Sequence, residues 1–249
     1  MNKKNKILSV GWLSTGNGQG SLGLFQEALD LHLEKKISLK YVFSNRDKGE
    51  KKGSDNFINY VLNNKIKMIT FSSKNYKSEK KKKWKELRND FDEIVLSKIS
   101  NYNVDIIVAA GYMLFSPVIC NHFQILNLHP ALPNGPVGTW QNVIKELIAN
   151  KSTVSGISIH LMTPELDEGP CLSFCEFRIK NKENNNLWKN LDNLKNNIEE
   201  SELFLDIRKK IILHERALLK KTLEKISIKE IDTSSIDPID LSDEVNGSI

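Results

Sequence analysis

The sequence predicts an α/β protein built on an open, twisted, mostly parallel sheet with helices on both faces. Short strand-like runs alternate with stretches of helical periodicity along most of the chain. Two of those runs, "VDIIVAAG" (104–111) and "QILNL" (124–128), are continuously apolar, as strands buried on both faces must be. Loops rich in glycine or proline follow the first and fifth runs, where such a Rossmann-like sheet collects ligands at the carboxyl ends of its strands.

The first strand is "KILSVGW" (6–12), and "SLGLFQEALDLHLEK" (21–35) has helical spacing. "LKYVFS" (39–44) is the second strand, followed by a helix near 55–64 and a third strand, "KMITFS" (67–72). Trp84, Leu87, Phe91, Ile94 and Val95 recur at steps of three and four, one face of a helix. After the two apolar strands, Trp140, Val143, Ile144, Leu147 and Ile148 mark another helix. "VSGISIHLM" (154–162) and "CLSFCEFRI" (171–179) are later strands, and Leu203 to Leu219 form a last amphipathic helix.

A chain of 249 residues suffices for one α/β domain with a substantial core. That domain is expected over 1–225, with 181–200 a polar insertion and 226–249 a flexible polar tail. No apolar run approaches the length of a membrane span. The basic start leads into too short and glycine-rich a segment for a secretory signal, so a cytoplasmic protein is expected. Cys120, Cys171 and Cys175 form no CxxC, and the last two would lie too far apart on a shared strand for a disulfide. Free thiols follow. The net charge of +5 comes mostly from lysine, and the run Lys80–Lys83 opens a helix and reads as a solvated face rather than a nucleic-acid surface.

"STGNGQGSLG" (14–23) links the first strand to the first helix, and Gly18, Gly20 and Gly23 satisfy G-x-G-x-x-G. A dinucleotide also needs an acid at the end of the second strand, where this chain has Ser44, Asn45 and Arg46. Arg46 suits only a phosphorylated ribose. A phosphate held by backbone N–H groups at the helix start needs the glycines alone, as does a tight turn without ligand.

The loop "NLHPALPNGPVGTW" (127–140) sets Asn127 and His129 at the mouth of the sheet. Later, "HLMTPELDEGP" (160–170) puts Asp167 in a turn between strands, shaped by Gly169 and Pro170. If that turn folds over the first loop, an amide, an imidazole and a carboxylate converge without a Ser or Cys nucleophile. Such a set suits direct acyl transfer to an external amine, with a developing oxyanion stabilised and a proton moved. Blander readings are a capped proline turn and, for His160, a satisfied core histidine. A zinc site from His129, His160 and Asp167 has suitable ligand types but lacks metal-site spacing.

"ILNLHPALP" with "GISIHLMTPELDEGP" strongly resembles the folate-dependent formyltransferases, nearest to the branch acting on glycinamide ribonucleotide. "STGNG", "FSNR", "RNDFD" (88–92), "AAGYMLFSP" (109–117) and "HERALL" (214–219) extend the resemblance over roughly 6–225, in order. It implies the formyltransferase fold and formyl transfer from 10-formyltetrahydrofolate to the glycinamide ribonucleotide amine, a step of purine biosynthesis. It further implies that Asn127, His129 and Asp167 are catalytic and that Gly18, Gly20 and Ser21 contact the substrate phosphate. Glu215 would meet the amine or ribose, and Arg88, Met113 and Leu114 would border the folate. The implied partners are a phosphorylated amine and a reduced folate, with no metal, nucleic acid or membrane.

The chain departs from that pattern at "GTWQN", where the family has a histidine after the glycine, and at Leu114, where a basic residue is frequent. Rival expectations are formylation of another amine, such as methionyl-tRNA or an amino sugar nucleotide, and a non-catalytic nucleotide- or folate-binding module. The tRNA enzymes add a C-terminal β-barrel, whereas helix and polar residues follow position 180 here.

Overall fold

The computed structural model describes residues 6–164, 169–189, 198–235 and 237–249. Its elements are β1 (Leu8–Ser14), α1 (Gln19–Leu33), β2 (Ile37–Ser44), α2 (Lys52–Asn63), β3 (Met68–Thr70), α3 (Ser73–Lys80) and α4 (Trp84–Ile99). There follow β4 (Ile106–Ala109), α5 (Pro117–Cys120), β5 (Ile125–His129), α6 (Trp140–Ala149), β6 (Val154–Leu161) and β7 (Cys171–Arg178). The chain closes with α7 (Asn185–Lys189), α8 (Glu202–Ser227), β8 (Ile239–Asp240) and α9 (Ser242–Asn246). The strands form one eight-stranded sheet in the order β3-β2-β1-β4-β5-β6-β7-β8. The expected open, mostly parallel sheet is what forms.

The residues divide into two compact units: 1–127 with 161–170 and 223–234, and 128–160 with 171–222 and 235–249. In the first, β1 pairs in parallel with β2 and β4, β2 with β3, and β4 with β5. Successive side chains of a strand face opposite sides, so two covered faces require unbroken apolar runs. Leu13, Phe43, Ile107 and Ile125 share one buried cluster with Leu87, Phe91 and Val95 of α4. At an alternate position Trp12 meets Phe25 of α1 edge-on at 5.5 Å, and Phe25 meets Phe57 of α2 at the same distance. Because these strands are parallel, the loops after Ser14, Ser44 and Ala109 leave from one end of the unit, the end at which Asn127 of β5 stands.

In the second unit β6 and β7 are antiparallel, with a register shift between Ile159 and His160. Ile157, Cys175, Phe204, Ile207 and Ile211 are fully or almost fully buried there, and Ser173 and Thr222 satisfy each other's hydroxyl at 2.8 Å. All three cysteines are free thiols; burial pushes Cys120 and Cys171 up to about 11 and Cys175 to about 12. No helix among the described residues is long and apolar enough to cross a membrane.

The lysine run, expected to open a helix, straddles a break instead. Ser72 caps α3 by accepting from the Asn75 N–H, Lys81 ends it in the left-handed region, and Lys83 precedes α4. Adjacent ammonium groups gain nothing from helical spacing. The segment after 226, expected as a flexible tail, is packed. Helix α8 continues to Ser227, β8 pairs in parallel with β7, and Leu241 and Val245 are buried. The open edge of β7 supplies the partners: Phe174 O accepts from Leu241 N, and the Ser242 hydroxyl accepts from Glu176 N. The expected polar insertion at 181–200 is anchored at its start by buried Trp188 and by Asn184, which donates to Ile179 O and Asp206. Residues 190–197 lie outside the described residues.

Candidate active site

At the carboxyl end of the first unit, Thr15 ties the loops together. Its hydroxyl donates to Asn45 Oδ1 (2.8 Å) and accepts from Met113 N (3.1 Å), while its own N–H donates to Gly111 O. The Asn45 amide donates onward to the Ser73 hydroxyl (3.1 Å), and the Ser54 hydroxyl donates to Thr15 O. Four loops are thereby held by two short polar side chains, both almost fully buried. The sequence marks Asn45 only as the residue standing where a ribose acid would be needed, and it does not mark Thr15. Their signal was the placement of small polar residues immediately after apolar strands, in "STGNG" and "FSNR".

Gly18 caps α1 at φ +142° with open space where a side chain would stand, and no side chain caps the helix. The first-turn N–H groups are therefore left for water or an anion. Gly20 and Ser21 lie in that first turn. The Ser21 hydroxyl rests against Gly111 (φ +66°), where any Cβ would fall within 2.2 Å of its oxygen. A residue without a side chain is required there.

Met113 is 67% exposed, whereas Leu114 packs on the α4 cluster. Arg88 lies over the Phe115 ring at 4.9 Å, so the three residues expected at the folate do gather around one loop. One turn along α4, buried Asp92 accepts from Val118 N (3.2 Å) at the start of α5. Burial pushes its carboxyl up to about 6.

Asn127 and His129 are two residues apart on β5, both half-buried, so their side chains share one face of the strand. Asn127 sits opposite Ala109 in the β4 register. His129 Nε2 lies 2.8 Å from Pro136 O, within its own proline loop, and its ring is 6.5 Å from that of His160. Asp167 lies outside the described residues. Described residues on either side of it are bonded: Met162 N donates to Ile125 O (2.8 Å), two residues before Asn127, and Leu161 N to Pro170 O (3.0 Å).

Glu215 sits in the second unit, buried on α8 and paired with Arg208 at 3.6 Å. Burial raises its carboxyl, and Arg208 opposes that shift. Arg208 in turn lies on the Trp140 ring, a partner that no local pattern announced.

Residues 18–202 match the family model described as formyl transferase. Phosphoribosylglycinamide formyltransferase of Escherichia coli is 33% identical over 89 residues, which are 34% of this chain and 41% of that protein. Methionyl-tRNA formyltransferase of Campylobacter jejuni is 34% identical over 104 residues, 41% of this chain and 33% of that protein. The matched region thus spans less than half the length of either relative. The crystal structure of glycinamide ribonucleotide transformylase 1 from Symbiobacterium toebii superposes with a TM-score of 0.65 at 20% identity, covering 90% of this chain and 89% of that one. That likeness is one of fold.

Proposed function

Since the chain belongs to the formyl transferase family, we propose that it moves a formyl group from 10-formyltetrahydrofolate to the amine of glycinamide ribonucleotide. One observation carries the reading: Asn127 and His129 share a face at the end of β5, and Met162, just beyond β6, donates to Ile125 O of the same strand.

The acceptor nitrogen attacks the formyl carbon, and the carbonyl electrons move onto oxygen. The Asn127 amide and the His129 imidazolium donate to that oxyanion, a stabilisation that strengthens as charge develops. With Nε2 turned to Pro136 O, His129 meets the reacting groups through Nδ1. Asp167 supports the imidazolium. A proton leaves the acceptor nitrogen and reaches the folate nitrogen as the old C–N bond breaks, so no formyl-enzyme forms. The family resemblance assigns the acceptor phosphate to the uncapped start of α1 at Gly18, Gly20 and Ser21, the amine or ribose to Glu215, and the border of the folate to Arg88, Met113 and Leu114.

The test is turnover, followed by folate absorbance, with glycinamide ribonucleotide, methionyl-tRNA and an amino sugar nucleotide as separate acceptors. Turnover with the first alone is the expected result. Turnover with either other amine alone reassigns the acceptor, and none with any of the three overturns the reading.

A further inference from the structure

Arg208 and Glu215 stand about two turns apart on α8, with Nη1 and Oε2 3.6 Å apart and the side chains 19% and 11% exposed. That gap is wider than a hydrogen bond, and Nη1, itself buried, has no hydrogen-bond partner among the described residues. The guanidinium is seated on the Trp140 indole, 4.3 Å from the ring centroid, and Trp140 leans on Phe204 at 5.8 Å. A planar cation held flat on an aromatic ring loses little freedom and keeps its charge at every physiological pH. Its Nη1 approaches Oε2 at 3.6 Å, a loose ion pair that holds the carboxylate less tightly than a short hydrogen bond would. It acts on Glu215 mainly through its charge.

That charge matters because Glu215 is buried, and burial favours the neutral acid. Among the described residues Arg208 is the charged group that opposes this shift. His214, its neighbour in the chain, is turned to Lys210 O and Asn246 Oδ1 and stacks on Phe177 at 3.7 Å. The neighbours from α6 and the start of α8, Trp140 and Phe204, are neutral. Trp140 opens α6, so the ring that seats the cation is fixed by the start of a helix.

We propose that Arg208, held on Trp140, is a positioning residue for the acceptor: it keeps Glu215 ionised and only loosely paired. The carboxylate then accepts the N–H hydrogens of the acceptor amine and aims the nitrogen lone pair at the formyl carbon. The inference rests on the acceptor role proposed for Glu215.

Two measurements test it. The first is a ¹³C NMR titration of the glutamate carboxyls in the full-length protein, with Glu215 assigned from the E215Q spectrum. It compares wild type, R208M and R208K without any substrate. Glu215 should titrate at least about one pH unit higher in R208M, with R208K staying near wild type. The second is steady-state kinetics from pH 5.5 to 9 with 10-formyltetrahydrofolate and glycinamide ribonucleotide. R208M should raise the acceptor KM about tenfold or more at pH 7 and move the acid limb of kcat/KM upward. Its affinity for a non-transferable folate analogue should stay within about twofold of wild type, and R208K should restore the limb. An unmoved Glu215 titration, superimposable pH profiles, or equal losses for acceptor and folate would each overturn the role. A shifted Glu215 titration in a protein that formylates none of the three amines would overturn the function itself and leave the Arg208–Glu215 coupling standing.

Discussion

Asn127 sits opposite Ala109 in the strand register, and two residues on the His129 ring faces Pro136 O. Replacing Asn127 by Ala removes one donor to the oxyanion and should lower kcat by about 10²–10³. His129→Ala removes a donor and a proton carrier and should cost at least as much. Asp167→Asn keeps the shape and loses the charge, so its effect should fall on kcat. The losses should be far from additive, as for groups acting as a unit. Kinetics on variants with matched circular dichroism decide this, and near wild-type kcat in both His129→Ala and Asp167→Asn would make these residues structural. Asp92 gives a second prediction, in stability. Its folded carboxyl is raised to about 6, so the folded state prefers the protonated acid. That contribution is complete below the unfolded value of about 4 and is lost as pH rises through about 6. The loss is on the order of 2–3 kcal/mol. Asp92→Asn still accepts from Val118 N but cannot ionise, so its stability should stay level between pH 4 and 7 while wild type declines. Parallel urea-unfolding series would refute this. Asn127 and His129 were legible because a polar pair beside proline interrupts an apolar run. Asp92 lay within a recognised motif, yet its burial depends on α5, which no periodicity announced.

Helices and strands carry the same lesson at a larger scale. The buried strands declared themselves because two covered faces demand unbroken apolar residues, and α4 and α6 because their apolar positions recur at helical steps. The break at Lys81 and the short helices α3 and α5 escaped notice because each has too few residues to show a period. The packing of segment 239–246 is hidden in the sequence for a different reason. Its composition is polar, but two buried residues, Leu241 and Val245, and a set of backbone hydrogen bonds hold it on the edge of β7. Burying a side chain of that size contributes roughly 1.5–3 kcal/mol. A chain ending at Asp237 should therefore lose about 3–5 kcal/mol of stability and, with β7 exposed, self-associate as concentration rises. Calorimetry with light scattering reads both effects; an unchanged Tm and an unchanged mass would mean the segment only rests there.

For the whole molecule the question is which ligand class the carboxyl end of the first unit serves. G-x-G-x-x-G alone admits a dinucleotide, but Asn45, at the position of the ribose acid, spends its amide on Thr15 and Ser73. Arg46 lies 3.6 Å from Glu50 on its own loop. Titration calorimetry should show binding of a reduced folate and none of NADPH, and tight NADPH binding without folate binding would restore the dinucleotide reading. By itself the sequence determined the α/β class, the parallel sheet and the candidates Asn127, His129 and Asp167, because alternation, apolar runs and a motif are written in neighbouring residues. Only the tertiary structure decided that Thr15 and Asn45 bind the loops together, that Asp92 is buried, that Arg208 faces Glu215 from the ring of Trp140, and that the last residues close an edge. Each of these depends on which distant residue removes water from which polar group. That exclusion is a property of the packed chain and is present in no single stretch of it.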